Sequence, residues 1–430
     1  MKYNLILCTA LMLTISQASN AQFFNKLKKK AEAAVNDAID GKPVNTPKVA
    51  TKQPAQNTTP QPTQQAAPQA NTEATTPAAP ALTSYTKYDF VPGQTVIYSD
   101  NFATDAAGEL PAGWNSNGNG AITRLNSFEG NWMRMDQQAT YLPGKELAST
   151  DNFTLEFDLV LDLKSNGYGF PEFRFGMIST GKVPVGDNSL LSDQKGAKSF
   201  EVEISPSTNS STSQLRFTSD KGRTSYFRSP VKSLENFSSF YGKVSHVAVQ
   251  GQKERLRLWV NGDKIIDVPK AIPAGDILNQ LFFVVGSSNY TNSQLGIYVG
   301  NIKVAQGAAD LRNKLINEGH FSTTGILFDV NAATIKPESS GTLQEIAQVL
   351  KDNPTINITI TGHTDSDGNA AANQKLSLSR AESVKNTFVS TYGIDEARLK
   401  IAGKGATVPV ASNKTETGKA QNRRVEFTKI

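Results

Sequence analysis

The segment Thr361–Gly368, TGHTDSDG, sets one histidine, two aspartates and two glycines directly after the alternating run INITIT. Three chemistries could use those residue types. A zinc site needs several converging ligands, yet the three histidines of the chain, His246, His320 and His363, stand far apart with no pair at ligand spacing. DSDG looks like a fragment of a calcium loop, but the glutamate that closes such a loop is missing at the required spacing. The third chemistry is the gripping of a charged ligand. Asp365 follows the C-terminal end of a strand, where α/β folds commonly bind ligands, and Arg380 lies in the next helix. A carboxylate and a guanidinium held on one strand-helix unit can take the ammonium and the carboxylate of an amino acid. The same two residues can equally close an internal salt bridge on each other.

These side chains need an α/β frame, and residues 308–430 supply one. DLRNKLINEGH reads as a short helix and GILFDV as a strand. PESSGTLQEIAQVLKDNP puts Leu343, Ile346, Ala347 and Leu350 on one helical face and closes at Pro354. INITIT turns Ile356, Ile358 and Ile360 inward. A second helix is expected from about Asn373 to Tyr392, with Ala381, Val384 and Phe388 as its apolar stripe and Gly393 as its cap. RLKIAG and RRVEFTKI add two strands. Strands alternating with helices predict a compact α/β sandwich.

The combined run GHTDSDG, NQKLSLSRAESVKNTF, YGIDEARLKIAGKGATVPVASNKTETGKAQNRRVEF resembles the OmpA-like peptidoglycan-binding domain, over about Thr324 to Ile430. The resemblance implies the βαβαβ fold of that family and a partner, peptidoglycan, held through the diaminopimelate of its stem peptide. It assigns the strand-end acid to Asp365 in GHTD and the helix arginine to Arg380 in LSLSRA. It matches other pocket positions to Asn331 in FDVNAATI, Asn373 before QKLS, and Asn422, Arg423 and Arg424 in NRRV, with a structural role as the alternative for one of the two arginines. The chain departs from better-known members by lacking the strands of a transmembrane barrel, a lipid-bearing cysteine and a stator's membrane helix.

Residues 85–307 are a succession of short alternating runs. FTLEFDLVLDL carries Phe153, Leu155, Phe157, Leu159, Leu161 and Leu163 on one face and Glu156, Asp158 and Asp162 on the other. Asn261-Gly262 signals a hairpin. Many such strands without a helical stripe predict an all-β two-sheet sandwich. YSDNF, LPAGW and LRLWVNGDKII give it a weak resemblance to concanavalin-like jelly rolls, which implies a module for a glycan or a protein but settles no function. Glu201 and Glu203 share a strand face and are the acid pair a glycosidase reading would use. Tyr168, Phe170, Trp132 and Trp259 are aromatics that stack on sugars where exposed and pack in the core otherwise.

The rest of the chain bounds the setting. Residues 1–21 read as a cleaved secretory signal, and Cys8, the one cysteine, falls inside it. Residues 22–41 form an amphipathic segment with Lys26, Lys28, Lys29 and Lys30, suited either to peripheral contact with an anionic membrane or to a solvated tail. Residues 42–84, rich in Pro, Thr, Gln and Ala, read as a disordered linker. The net charge of +5 collects in the N-terminal tail, where residues 1–80 hold eight Lys/Arg against four Asp/Glu. That distribution argues against nucleic acid as a partner. The sequence therefore predicts an exported, non-catalytic envelope protein of the periplasm, associated with the cell wall and the outer membrane, with no cofactor. The alternatives are a wall-tethered glycan hydrolase using Glu201 and Glu203, or a purely structural spacer.

Overall fold

The computed structural model describes residues 88–208, 212–307 and 311–430. The expected signal, amphipathic segment and linker lie outside the described residues. Alternating sequences become two antiparallel eight-stranded sheets. One runs in the order Asp263–Val268, Arg255–Val260, Val244–Gln252, Asn152–Leu163, Leu295–Gln306, Trp132–Met135, Gly120–Thr123, with Thr95–Asp100 also paired to Leu295–Gln306. The other is built around Lys198–Ser205, Phe173–Ser179 and Gln280–Val285. The inward residues of FTLEFDLVLDL join one core with residues of both sheets. Phe157 sits at its centre, edge-on to Phe175 and Phe283 with ring centroids at 4.8 and 5.2 Å. Asn261 and Gly262 both take positive φ, 52° and 87°, as a tight hairpin between two right-twisted strands requires.

The outer face of the first sheet is only partly open to solvent. Asp162 is exposed, but Glu156 and Asp158 are 4% and 9% exposed. They are covered by the chain entering the sandwich, residues 88–94, and by the C-terminal domain. Phe90 packs edge-on against Trp259 at 5.2 Å, and Trp259 Nε1 donates to Asp89 Oδ1 at 3.0 Å. Gly93 N donates to Thr154 Oγ1 at 3.0 Å on the same face. Val91 belongs instead to the C-terminal core. Helix Ser340–Asp352 reaches the segment through Gly341, where a Cβ would fall 2.3 Å from the Phe90 carbonyl oxygen, so only glycine allows this approach. The seam continues where Gln421 Nε2 donates to Val96 O at 2.6 Å and Ser99 N donates to Thr417 Oγ1 at 3.2 Å. Alternation reads which residues share a face; it does not read that a second domain will cover that face.

Charges under this cover must be paired, because an uncompensated buried charge costs several kcal/mol. His246 Nδ1 lies 2.8 Å from Asp158 Oδ1, its Nε2 lies 3.6 Å from Glu156 Oε2, and Lys303 Nζ lies 2.9 Å from Glu156 Oε1. Asn301 Nδ2 completes the group by donating to Asp158 Oδ2 at 2.8 Å. Burial alone would depress the imidazole pKa; the hydrogen bond to Asp158 and the Glu156 carboxylate overcome it and raise it to about 10. Burial likewise works against both carboxylates, but Lys303 and His246 hold Glu156 below its ordinary value and His246 does so for Asp158.

The C-terminal part forms a four-stranded mixed sheet in the order His320–Thr323, Val425–Lys429, Ile358–His363, Leu399–Gly405, the last pair parallel. GILFDV is not a strand. Its backbone closes a local loop instead: Leu327 N donates to Ser339 Oγ at 2.8 Å, Lys336 N to Leu327 O at 2.9 Å and Asp329 N to Thr334 O at 3.1 Å. The sheet edge is taken by His320–Thr323. DLRNKLINEGH yields only Leu311–Asn313 and a wider turn over Lys314–Glu318, ended by Gly319 in left-handed conformation. The second helix, Ala370–Ser390, begins at Asn369, whose side chain accepts from the Ala371 and Ala372 amides. Its Ala381, Val384 and Phe388 are buried, and Gly393 follows with φ 68°.

His246→Gln should lower stability by about 3–5 kcal/mol at pH 7, because Asp158 and Glu156 lose their shared cation. The histidine pKa is raised on folding, so its contribution is complete below the ordinary value of 6.5 and disappears as pH rises through about 10. Urea unfolding of both proteins at pH 6.5, 8 and 10 should show the gap closing towards pH 10; a constant gap would contradict the charged imidazole.

Candidate ligand-binding site

Strand Ile358–His363 lies between Val425–Lys429 and Leu399–Gly405, and both neighbours hold its end. His363 N donates to Arg424 O and Thr364 N to Gly405 O, each at 3.0 Å. Helix Ala370–Ser390 presses onto the strand at Gly362, where a Cβ would meet the Ser377 carbonyl oxygen at 2.1 Å. Asp365 therefore leaves a rigid edge. Its Oδ1 accepts from Asp367 N at 3.0 Å, an Asx-type turn, and Asn373 Nδ2 fastens the loop by donating to Asp367 O at 2.8 Å.

The acid and the expected arginine do not bridge each other. Asp365 Oδ2 accepts from Arg423 Nη1 at 2.7 Å, and Arg423 Nη2 reaches Glu416 Oε1 at 2.6 Å. Arg380 donates through Nε to Ala332 O at 3.0 Å and through Nη2 to Asp329 O at 3.3 Å, with its guanidinium 4.9 Å from the centre of the Phe328 ring. Among the described residues it has no carboxylate partner. Burial lowers the pKa of Arg380, Asp365 partly restores it, and the charge of Arg423 lowers it further. For Arg423, burial is outweighed by Glu416 and by the hydrogen bond it donates to Asp365, so its pKa rises. A further negative group would therefore be favoured beside Arg380.

Asp365, Arg380, Asn331, Asn373, Arg423 and Arg424 line one cavity of about 470 Å3. Asn331 sits in the left-handed region at φ 53°. Arg424 is buried and committed to Glu426 through Nε at 2.9 Å and Nη2 at 2.5 Å. His363 Nε2 lies 3.3 Å from the other oxygen of Glu426. His363 and then Arg424, against a burial penalty, bring the Glu426 carboxyl down to about 2. Asn422 is outside the cavity lining. It is fully buried, and its amide accepts from Val410 N and Ala411 N at 2.8 and 3.0 Å and donates to Ala411 O and Asn413 Oδ1, both at 2.9 Å.

The opposite wall was not foreseen. Asn101, Asp158, Val244, His246, Asn301 and Lys303 of the sandwich face the same cavity. The one sequence signal was a histidine in the strand-like HVAVQ, a run the structure pairs with FTLEFDLVLDL so that His246 lies opposite Asp158. Elsewhere in the sandwich, Arg174 Nη1 pairs with Glu201 Oε2 at 3.2 Å, while Ser205 Oγ donates to Glu203 Oε1 at 3.3 Å. Burial raises the pKa of Glu201 and Arg174 opposes that shift. Trp132 and Trp259 are buried, whereas Tyr168 is 49% exposed and stands edge-on to Tyr290. Among the described residues no cluster of three or more His, Cys, Asp or Glu could hold a metal, and no helix is long and apolar enough to cross a membrane.

A four-stranded mixed sheet whose strands alternate with helices, with paired charges at a strand end, defines an α/β domain. Residues 327–423 match the model of the OmpA family, and this part of the chain is an OmpA family domain. It is similar to the probable lipoprotein YiaD of Escherichia coli, 45% identical over 103 residues that make up 24% of this chain and 47% of that one. It is also similar to outer membrane porin F of Pseudomonas aeruginosa, 41% identical over 101 residues, 24% of this chain and 29% of that one. The chain thus spans less than half the length of these two relatives. Among solved structures, a peptidoglycan-associated lipoprotein from Burkholderia pseudomallei is 32% identical, with a TM-score of 0.23, over 25% of this chain and 89% of that one.

Asn422→Ala should cost roughly 2–4 kcal/mol, since it removes the four hydrogen bonds made by a fully buried side-chain amide. Chemical denaturation checks this; a loss under 1 kcal/mol would mean the loop rearranges to satisfy them.

Proposed function

We propose that this chain is a non-catalytic envelope protein whose C-terminal domain binds peptidoglycan non-covalently through the diaminopimelate of the stem peptide. The observation that carries this reading is the pair formed by Asp365 and Arg380 in one cavity, the arginine having no carboxylate partner among the described residues. Asp365 takes the ligand's ammonium and Arg380 takes its carboxylate. The planar fork of Arg380, already oriented by two carbonyls and the Phe328 face, meets a carboxylate with little loss of freedom. Asn331, Asn373 and Arg423 complete the surroundings, Arg423 by fixing the Asp365 rotamer. Arg424, held by Glu426, is part of the wall, and Asn422 supports it from behind.

The membership of residues 327–423 and the outer-membrane and lipoprotein names of the relatives support an envelope location, reached by export to the periplasm. The sandwich, a concanavalin-like jelly roll on this reading, is an interaction module for a glycan or an envelope protein, and the exposed Tyr168 beside Tyr290 is its best stacking surface. Its engagement of Glu201 with Arg174 favours a structural pair over an acid catalyst. The N-terminal segment 22–41 adds peripheral membrane contact.

Co-sedimentation of the full chain with purified diaminopimelate-type peptidoglycan tests the reading. Asp365→Ala and Arg380→Ala should each weaken binding at least tenfold while the thermal midpoint stays within a few degrees, because Arg423 keeps Glu416 as its partner. Arg380→Lys should fail nearly as badly as the alanine variant, since an ammonium reproduces neither the fork nor the stack. Unchanged binding in both alanine variants would refute the assignment.

A further inference from the structure

The cavity that holds Asp365 and Arg380 is shared by two domains. At about 470 Å3 it falls within the roughly 300–1,000 Å3 of pockets that enclose whole small ligands. That volume is more than one amino-acid end group needs. The sandwich side is shaped for the purpose: the register of Leu295–Gln306 against Asn152–Leu163 slips between Gly300 and Lys303, and Asn301 takes φ 50°. Such bulges re-aim side chains, and here Asn301 and Lys303 turn to the cavity. Lys336, from the loop after Phe328, also lines it and has no ion-pair partner among the described residues. Asp158, which accepts from Asn301, lines the same cavity as Lys336, and the positive charge of Lys336 adds to what His246 and Asn301 do in lowering that carboxyl's pKa. Thr324 and His246 line the cavity, and Thr324 Oγ1 is a buried polar atom without a hydrogen-bond partner among the described residues. A polar ligand is favoured there, because such atoms cost about 1–3 kcal/mol when left alone.

We propose that the sandwich is the second wall of the peptide site, and that Lys336 and Asn301 together receive a carboxylate on the residue joined to the diamino acid. The inference rests on the peptidoglycan reading above and deepens it: the chain recognises a two-residue unit, not only a diamino-acid end. Asp365 and Arg380 hold the end group, while Lys336 supplies the positive charge and Asn301 the N–H it does not spend on Asp158. The ligand class is an acidic residue, such as D-glutamate linked through its side chain and keeping a free α-carboxylate, followed by diaminopimelate.

The test is titration calorimetry on the full chain with three probes: meso-diaminopimelate, the γ-D-glutamyl-meso-diaminopimelate dipeptide, and that dipeptide with its α-carboxylate amidated. The acid dipeptide should bind at least ten times more tightly than the amide. Lys336→Met should remove most of that preference while leaving the affinity for diaminopimelate unchanged. Asn301→Gly, which keeps the left-handed backbone, should reduce the preference several-fold. Lys336→Met breaks no ion pair among the described residues, so it decides the matter if Asn301→Gly unfolds. Equal binding of acid and amide, or a preference that survives Lys336→Met, overturns the inference and leaves the end-group reading intact. No binding of diaminopimelate, or binding indifferent to Asp365→Ala, overturns both.

Discussion

The structure depends on a set of four charges taken out of water together. Glu156, Asp158, His246 and Lys303 sum to zero when the imidazole is protonated, and each acid touches a cation. Any one of them buried alone would oppose folding by several kcal/mol. As a set they permit residues 88–94 and the C-terminal domain to lie on a sheet face whose sequence looks made for solvent. The apolar part of that contact, Phe90 on Trp259 and Val91 in the neighbouring core, provides the driving force. The charge set selects the geometry, because neutrality holds only with His246 between the two acids.

The consequence reaches the site. A lone OmpA family domain would present Asp365 and Arg380 at an open strand end. Here Ala420, on helix Glu416–Asn422, packs with Val96 and Ala305 of the sandwich. Gly341 meets the Phe90 carbonyl in van der Waals proximity that no other residue would allow. The strand end consequently opens onto a cavity with two walls, and the same His246 that neutralises the seam is part of the lining.

Much of this was legible in the sequence where a local period carried it. The stripes Leu343/Ile346/Leu350 and Ala381/Val384/Phe388, the inward set of INITIT and the Asn261-Gly262 hairpin depend on nearest neighbours along the chain, and the structure forms them. What failed was decided at long range. HFST is four residues, too short to show alternation, and becomes a strand only because Val425–Lys429 pairs with it from across the chain. GILFDV has the β-like composition but spends its amides on Ser339 and its own loop. In the site, the strand-end position of Asp365 could be read, but not its choice of Arg423 over Arg380. In NRRV, three consecutive residues leave the end of one helix in three directions: Asn422 into the wall, Arg423 to Asp365, Arg424 to Glu426. Neither period separates adjacent residues of that kind.

The partner choice also bears on selectivity. Arg423 is shared between Asp365 and Glu416, while Arg380 is held by carbonyls and a ring that bring no full charge. Asp365, Glu416, Arg380 and Arg423 sum to zero, but the positive charge on Arg380 and the negative charge on Asp365 both face the cavity. A simple anion would satisfy Arg380 and meet the repulsion of Asp365; a simple cation would do the reverse. On the proposed reading, a ligand carrying an ammonium and a carboxylate a few bonds apart satisfies both and preserves neutrality, which would make the arrangement discriminate by charge pattern and not by net charge.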